Sequence, residues 1–207
     1  ERVMVPLRLM GAEFTARSGG LLPLTVHGTD MLMPAEVTLP VASAQVKSAI
    51  LLAGLNTRGK TTIIEPAPSR NHTEIMLSNF GAEISINEMA EGRSITLTGY
   101  PELEAREIQI PGDLSSAAFP LVAGLLCPGG VTTKNVNLNP LRTGLLECLK
   151  DMGAQVSIGN ESTSGGESCG DISVDHGHLH GITIPAGRAP SMIDEYPKLA
   201  VAAACAS

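Results

Sequence analysis

Three stretches of the chain place hydroxyl, amide, guanidinium and carboxylate groups where regular elements begin. Ser43-Ala44-Gln45 opens an apolar segment after the strand-like Glu36–Val41. A helix mouth there has free backbone N–H groups and a partial positive charge, a site for a phosphate or carboxylate. Ser43 serves equally well as a plain N-cap. Ser69-Arg70-Asn71-His72 follows the next strand. Arg70 is either a bidentate partner for an anion or a solvated surface charge, and Asn71 with Glu74 has capping-box spacing. Ser191-Met192-Ile193-Asp194 has the same spacing. Asp194 then either caps a helix or takes a proton from a substrate hydroxyl at a domain edge.

Other candidates carry less. His176, His178 and His180 would share one side of an extended strand, but Gly177 and Gly181 indicate a turn with no accompanying carboxylate–Cys set. No metal and no cofactor are expected. Gly19-Gly20 and Pro128-Gly129-Gly130 read as turns, because neither G-x-x-x-x-G-K-[ST] nor G-x-G-x-x-G occurs.

The elements that must position these groups recur. Met10-Gly11-Ala12-Glu13-Phe14, Phe80-Gly81-Ala82-Glu83-Ile84 and Met152-Gly153-Ala154-Gln155-Val156 match, with their glycines 70 and 72 residues apart. Each follows a helix-like segment and precedes an alternating strand, so each glycine suits a left-handed helix end. Ser43–Leu55 and Ser115–Leu126 are apolar helices opening on serine, each followed by a Gly turn and a Thr-rich strand (Thr61–Glu65; Val131–Asn135), and Ser191–Ala206 reads as the start of another copy. In the middle copy the pattern predicts strand Glu36–Val41, helix Ser43–Leu55, strand Thr61–Glu65, helix Asn71–Phe80, and strands Glu83–Asn87 and Ser94–Thr98. The first helix of each copy is apolar nearly all round and belongs inside a domain. The second, carrying Glu74 in one copy and Glu147, Lys150 and Asp151 in the next, belongs outside. The class is α+β with helices inside sheets. A boundary is expected near Pro101–Asp113, and Gly159–Gly170 reads as an exposed loop.

Composition narrows the function classes. The 207 residues carry a net charge of −7, no Trp, three Phe and two Tyr. That disfavours duplex binding through a basic face and single-strand binding on aromatic platforms. No apolar run reaches the ~18 residues needed to span a bilayer. Cys127, Cys148, Cys169 and Cys205 lack C-x-x-C spacing and read as reduced thiols of a cytoplasmic protein. The chain starts in a helical pattern without Met and stops just after an apolar helix, which reads as a piece of a longer polypeptide.

These residues carry a family resemblance. Leu39-Pro40-Val41-Ala42-Ser43-Ala44-Gln45-Val46-Lys47-Ser48-Ala49 and Glu65-Pro66-Ala67-Pro68-Ser69-Arg70-Asn71-His72-Thr73-Glu74 resemble the 5-enolpyruvylshikimate-3-phosphate synthases. So do Pro111-Gly112-Asp113-Leu114-Ser115-Ser116-Ala117-Ala118-Phe119 and the run from Arg188 to Pro197. Ala44, where many members have a second serine, is similar to the glyphosate-tolerant class II bacterial branch. The resemblance implies an inside-out α/β barrel: two lobes of βαβαββ units, with residues 1–110 ending the first and 111–207 beginning the second. It implies transfer of the enolpyruvyl group of phosphoenolpyruvate to the 5-hydroxyl of shikimate 3-phosphate, in the shikimate pathway of aromatic amino-acid biosynthesis. By position, Ser43, the Ala44 N–H, Gln45, Ser69 and Arg70 would bind shikimate 3-phosphate. Gln45 would also border phosphoenolpyruvate, and Asp194 would take the hydroxyl proton. His72 stands where some relatives have Tyr, and its role is open.

The family's amino-terminal Lys-Ser and Arg, its Arg-Pro segment and its later catalytic Glu and Arg residues have no match here. The fragment alone is therefore expected to be inactive, with the flanking parts of the enzyme as its partners and a monomer as the full-length form. Two alternatives stand beside this: a UDP-N-acetylglucosamine enolpyruvyl transferase-like enzyme, and a non-catalytic binding lobe of the same fold.

Overall fold

The sequence repeat is a repeat of supersecondary structure. In a computed structural model that describes residues 1–207, the order begins α1 (Met4–Leu9), β1 (Glu13–Arg17), β2 (Leu21–His27). A full copy follows: β3 (Glu36–Thr38), α2 (Ala44–Gly54), β4 (Lys60–Glu65), α3 (His72–Asn79), β5 (Ile84–Glu88), β6 (Arg93–Thr98). The next copy is α4 (Leu114–Leu126), β7 (Val131–Asn137), α5 (Gly144–Asp151), β8 (Gln155–Ser164) and β9 (Glu167–Asp175), and α6 (Tyr196–Ala204) closes the chain. Residues Glu1–Arg106 and Glu107–Ser207 form two units, each with its own core.

β1 and β2 form a two-stranded antiparallel sheet, and the two larger sheets share one plan. In the first unit the order is β3-β4-β6-β5, with β3 parallel to β4 and the other pairs antiparallel. In the second the order is β7-β9-β8, all antiparallel. There Gly112 bridges Val136 in parallel and stands where β3 does. Gly11, Gly81 and Gly153 end α1, α3 and α5 with φ of 98°, 97° and 94°, a backbone that a Cβ makes costly.

Strand alternation chooses what enters each core. Thr61, Ile63 and Glu65 of β4 face inward, as do Arg93, Ile95 and Leu97 of β6. They meet Ile50 and Leu51 of α2 and Leu77 of α3. Leu121 and Leu125 of α4, Leu145 and Leu149 of α5, and Ile172 and Val174 of β9 fill the second core. Within each unit one sheet covers one side of its apolar helix, so Leu52, Phe119 and Val201 stay exposed.

Several local expectations change. Gly159–Gly170 is not a loop. Ser164 pairs with Glu167 across Gly165-Gly166, both glycines having positive φ, which makes a two-residue hairpin turn. The helix expected from Ser115 is capped by Asp113, whose carboxylate accepts from the Ser116 N–H at 2.8 Å. The helix expected from Ser191 starts at Tyr196, because Pro197 sits in its first turn and residues Ala186–Ser191 form a 3-10 turn. The Ser191-x-x-Asp194 capping box is absent, since the Ser191 hydroxyl donates to the Arg188 carbonyl at 2.8 Å. The Asn71–Glu74 box is absent too. Asn71 makes no side-chain cap, and Glu74, placed outside by its charge, is buried.

Candidate anion-binding site

The mouth of α2 is capped by Ser43, whose side chain accepts from the Val46 N–H at 3.5 Å. The cap is long, and α2 has no acidic side chain in its first turn to answer the dipole. Beside the mouth lies a pocket of about 170 Å³ lined by Ala44, Gln45, Ser48, Arg70, His72 and Thr73. Two walls make it. One is the first turns of α2; the other is the segment from Arg70 into α3. Ser48 Oγ and Thr73 Oγ1 meet across it at 2.6 Å. Ser43 itself lines a neighbouring cavity of about 420 Å³ with Arg2, Thr38 and Val46, and Arg2 donates to Gln45 Oε1 at 3.0 Å.

Ser69 is held from behind. Its hydroxyl donates to Glu65 Oε2 at 2.6 Å and its N–H to Glu65 Oε1 at 3.2 Å. Its carbonyl accepts from Lys47 Nζ at 3.2 Å and Arg93 Nη2 at 3.0 Å. Arg93 Nε reaches Glu65 Oε1 at 2.6 Å, and Lys47 Nζ reaches it at 3.2 Å and Glu74 Oε1 at 2.7 Å. Burial pushes the Glu65 carboxyl up, but the Ser69 hydroxyl, the Lys47 charge and the Arg93 guanidinium outweigh it and hold the carboxyl below its usual range. Two cations and two carboxylates thus balance beneath the pocket. Lys47 is fully buried and Arg93 nearly so.

The second unit offers an internal comparison. Arg142 occupies the copy position of Arg70, 72 residues on, and Asp113 the capping position of Ser43, 70 residues on. Part of this drift arises at the bulge between Thr133 and Val136 of β7. There Arg142 Nη2 donates to Asp113 Oδ1 at 3.2 Å and to Ser115 Oγ at 2.6 Å, while Ser115 donates to buried Glu195. Burial raises the Asp113 carboxyl, and the Ser116 hydroxyl and N–H, with Arg142, bring it below its usual range. This mouth holds carboxylates of its own chain. The capping residue of the first unit is uncharged.

Of the residues singled out in the sequence, Ala44, Gln45 and Arg70 line one pocket and Ser43 the cavity beside it. Ser69 joins the network below. Asp194 lies in the second unit, exposed, its carbonyl accepting from Lys198 Nζ at 2.8 Å. The capping box with Ser191, the role that competed with proton transfer, does not form. His176 hydrogen-bonds the Leu125 carbonyl through Nδ1 at 2.9 Å. Sequence reasoning missed Lys47, Ser48, Thr73 and Arg2. The signal for Lys47 was a single charge in an otherwise apolar helix.

Residues 1–207 match the family described as EPSP synthase (3-phosphoshikimate 1-carboxyvinyltransferase). The chain is 55% identical over 207 residues to the 3-phosphoshikimate 1-carboxyvinyltransferase of Gluconobacter oxydans, covering 99% of this chain and 47% of that protein. It is 54% identical over 208 residues to that of Rhodospirillum rubrum, covering 100% and 46%. The chain spans about half the length of the curated relatives it matches. The solved EPSP synthase of Acinetobacter baumannii superposes with a TM-score of 0.87 at 43% identity, over 100% of this chain and 46% of that one. The enolpyruvyl transferase NikO of Streptomyces tendae gives 0.73 at 17% identity over 100% and 49%, a likeness of fold alone.

Proposed function

The chain belongs to the EPSP synthase family, and from that premise we propose that it supplies the shikimate 3-phosphate grip and the proton acceptor of an enolpyruvyl transferase. The observation that carries the reading is the pocket between the α2 mouth and Arg70. A helix mouth with an uncharged cap attracts an external anion, whereas the matching mouth of the second unit already holds Asp113 and Glu195.

In this reading the Ala44 N–H and Arg70 hold the substrate phosphate, Ser43 turns its hydroxyl from the cap to the ligand, and Gln45 borders phosphoenolpyruvate. Ser69 contacts the substrate from the wall that Glu65 fixes. Asp194 takes the proton of the 5-hydroxyl as that oxygen adds to the enol carbon that bears the phosphate and the adjacent methylene carbon gains a proton. Loss of a proton from that carbon together with phosphate then restores the double bond. In this reading the grip residues fall in residues 1–110, the end of a first lobe, and Asp194 in residues 111–207, the start of a second. The full-length enzyme works in the cytoplasm as a monomer, and the 207-residue chain by itself turns over no substrate.

Calorimetric titration of shikimate 3-phosphate into the full-length protein tests this. Arg70→Ala removes charge-assisted hydrogen bonds of about 1.5–3 kcal/mol, so Kd should rise roughly 10- to 150-fold. Asp194→Asn should leave Kd within a fewfold and lower kcat by about 10²–10⁴. UDP-N-acetylglucosamine should give no heat. Unchanged binding in Arg70→Ala would refute the assigned grip.

A further inference from the structure

Lys47 is the oddity of the first unit. It sits on α2 between Gln45 and Ser48, both pocket-lining, yet its side chain is fully buried. Burying an ammonium costs several kcal/mol, and well-packed apolar residues of similar size commonly serve a core as well as a buried ion pair does. Fold stability alone gives little reason for a lysine here. Its contacts suggest another.

From the α2 wall, Nζ reaches Glu74 Oε1 on α3 at 2.7 Å, Glu65 Oε1 at the end of β4 at 3.2 Å, and the Ser69 carbonyl at 3.2 Å. Glu74 and Ser69 lie on either side of Arg70, His72 and Thr73, the opposite wall. Arg93 binds the same Glu65 oxygen and the same Ser69 carbonyl from β6. The Glu65–Ser69 turn is thereby tied to β6, and Lys47 ties that turn and α3 to the helix mouth. The separation of the two walls is thus held from beneath by this ammonium group, alongside the Ser48–Thr73 hydrogen bond that crosses the pocket.

We infer that Lys47 is a positioning residue: acting through Ser69 and Glu74, it sets the distance between the α2 mouth and Arg70 and so the fit of the phosphorylated substrate. The inference rests on the anion-site reading above. It requires that Lys47 touch no substrate, in keeping with its burial. It also requires that its loss be felt in ground-state grip rather than in the chemical step, which lies with Asp194.

The test uses the full-length protein and shikimate 3-phosphate. Lys47→Met with Glu74→Gln removes one buried cation and one buried carboxylate together and leaves Arg93 paired with Glu65. The fold should keep its thermal midpoint within a few degrees. The Kd and KM for shikimate 3-phosphate should rise about tenfold, because a displaced Arg70 loses charge-assisted hydrogen bonds to the phosphate, while kcat at saturation changes less than threefold. Lys47→Arg is the second variant. It preserves charge and folding but brings a wider planar head, and Kd should rise at least fivefold.

A double variant of unchanged midpoint that binds within twofold of the parent overturns the inference, and so does Lys47→Arg binding like the parent. Arg70→Ala, measured alongside, separates the two levels. Where it abolishes binding and the Lys47 variants do not, only the positioning role fails. Where the parent itself does not bind shikimate 3-phosphate, the functional reading fails and takes this inference with it.

Discussion

Replacing Glu65 by glutamine probes the buried network as a matter of stability. The carboxylate receives the Ser69 hydroxyl and N–H, the Arg93 guanidinium and the Lys47 ammonium at 2.6–3.2 Å, and it is fully buried. A glutamine side chain fills nearly the same volume. Its amide oxygen can stay with Arg93 and Lys47, and the Ser69 hydroxyl can rotate to accept from the new NH₂ group. What is lost is the charge, leaving two cations against Glu74 alone. Removing one partner of a buried pair costs about 3–5 kcal/mol, and the hydrogen bonds that remain put this change near the lower end, about 3 kcal/mol.

At about 2–4 °C per kcal/mol, the thermal midpoint followed by circular dichroism should fall by about 6–12 °C. The pH dependence supplies a second reading. A carboxyl held below its usual range stabilises the fold fully above the unfolded value of about 4.3 and loses that contribution as pH falls through the folded value. Glu65→Gln should therefore cost most at neutral pH, with parent and variant converging in acid. Combining it with Lys47→Met should give a coupling above about 1 kcal/mol, since residues sharing one network are not additive. A midpoint shift below about 2 °C together with additive effects would refute the account of the network.

Two further predictions concern other parts of the fold. The Asp171 carboxyl, receiving Lys134, Asn160 and the Asn135 N–H, is lowered to about 2. Its contribution is complete above about pH 4 and lost as pH falls toward 2, so Asp171→Asn should flatten the midpoint-versus-pH curve there. An unaltered curve would contradict that assignment. At Gly99 a Cβ would lie 2.0 Å from the Thr57 carbonyl oxygen and 2.9 Å from that of Gly54. Gly99→Ala should cost about 3 kcal/mol or more in urea unfolding, whereas Gly187→Ala, with nothing within 4 Å, should stay within about 0.5 kcal/mol.

Much of the fold was legible because its signals are local. The periodicity of Ser43–Leu55 and Asn71–Phe80, and the glycine after each second helix, place elements within a residue or two of Ala44–Gly54 and His72–Asn79. Gly165-Gly166 was an equally local hairpin signal, overlooked because the polar residues around it resemble a loop. The two false capping boxes fail for a different reason. Ser/Asn-x-x-Asp/Glu spacing states only what a side chain could bond, and a long-range partner or a nearby proline decides what it does bond. Glu74 turns inward because Lys47 is there, and the helix expected at Ser191 waits for Pro197.

The sequence by itself determined the repeat, the strand faces and which residue types stand at each helix mouth, all consequences of backbone geometry over a few residues. Tertiary structure alone decided that Lys47, Glu65, Glu74 and Arg93, spread over three elements besides α2, share one buried charge balance under the pocket. It also decided that Arg142 is answered by Asp113 and Glu195 of its own chain. Charges act through space with a strength set by burial, and neither their separation nor their burial is written in the spacing of residues along a chain.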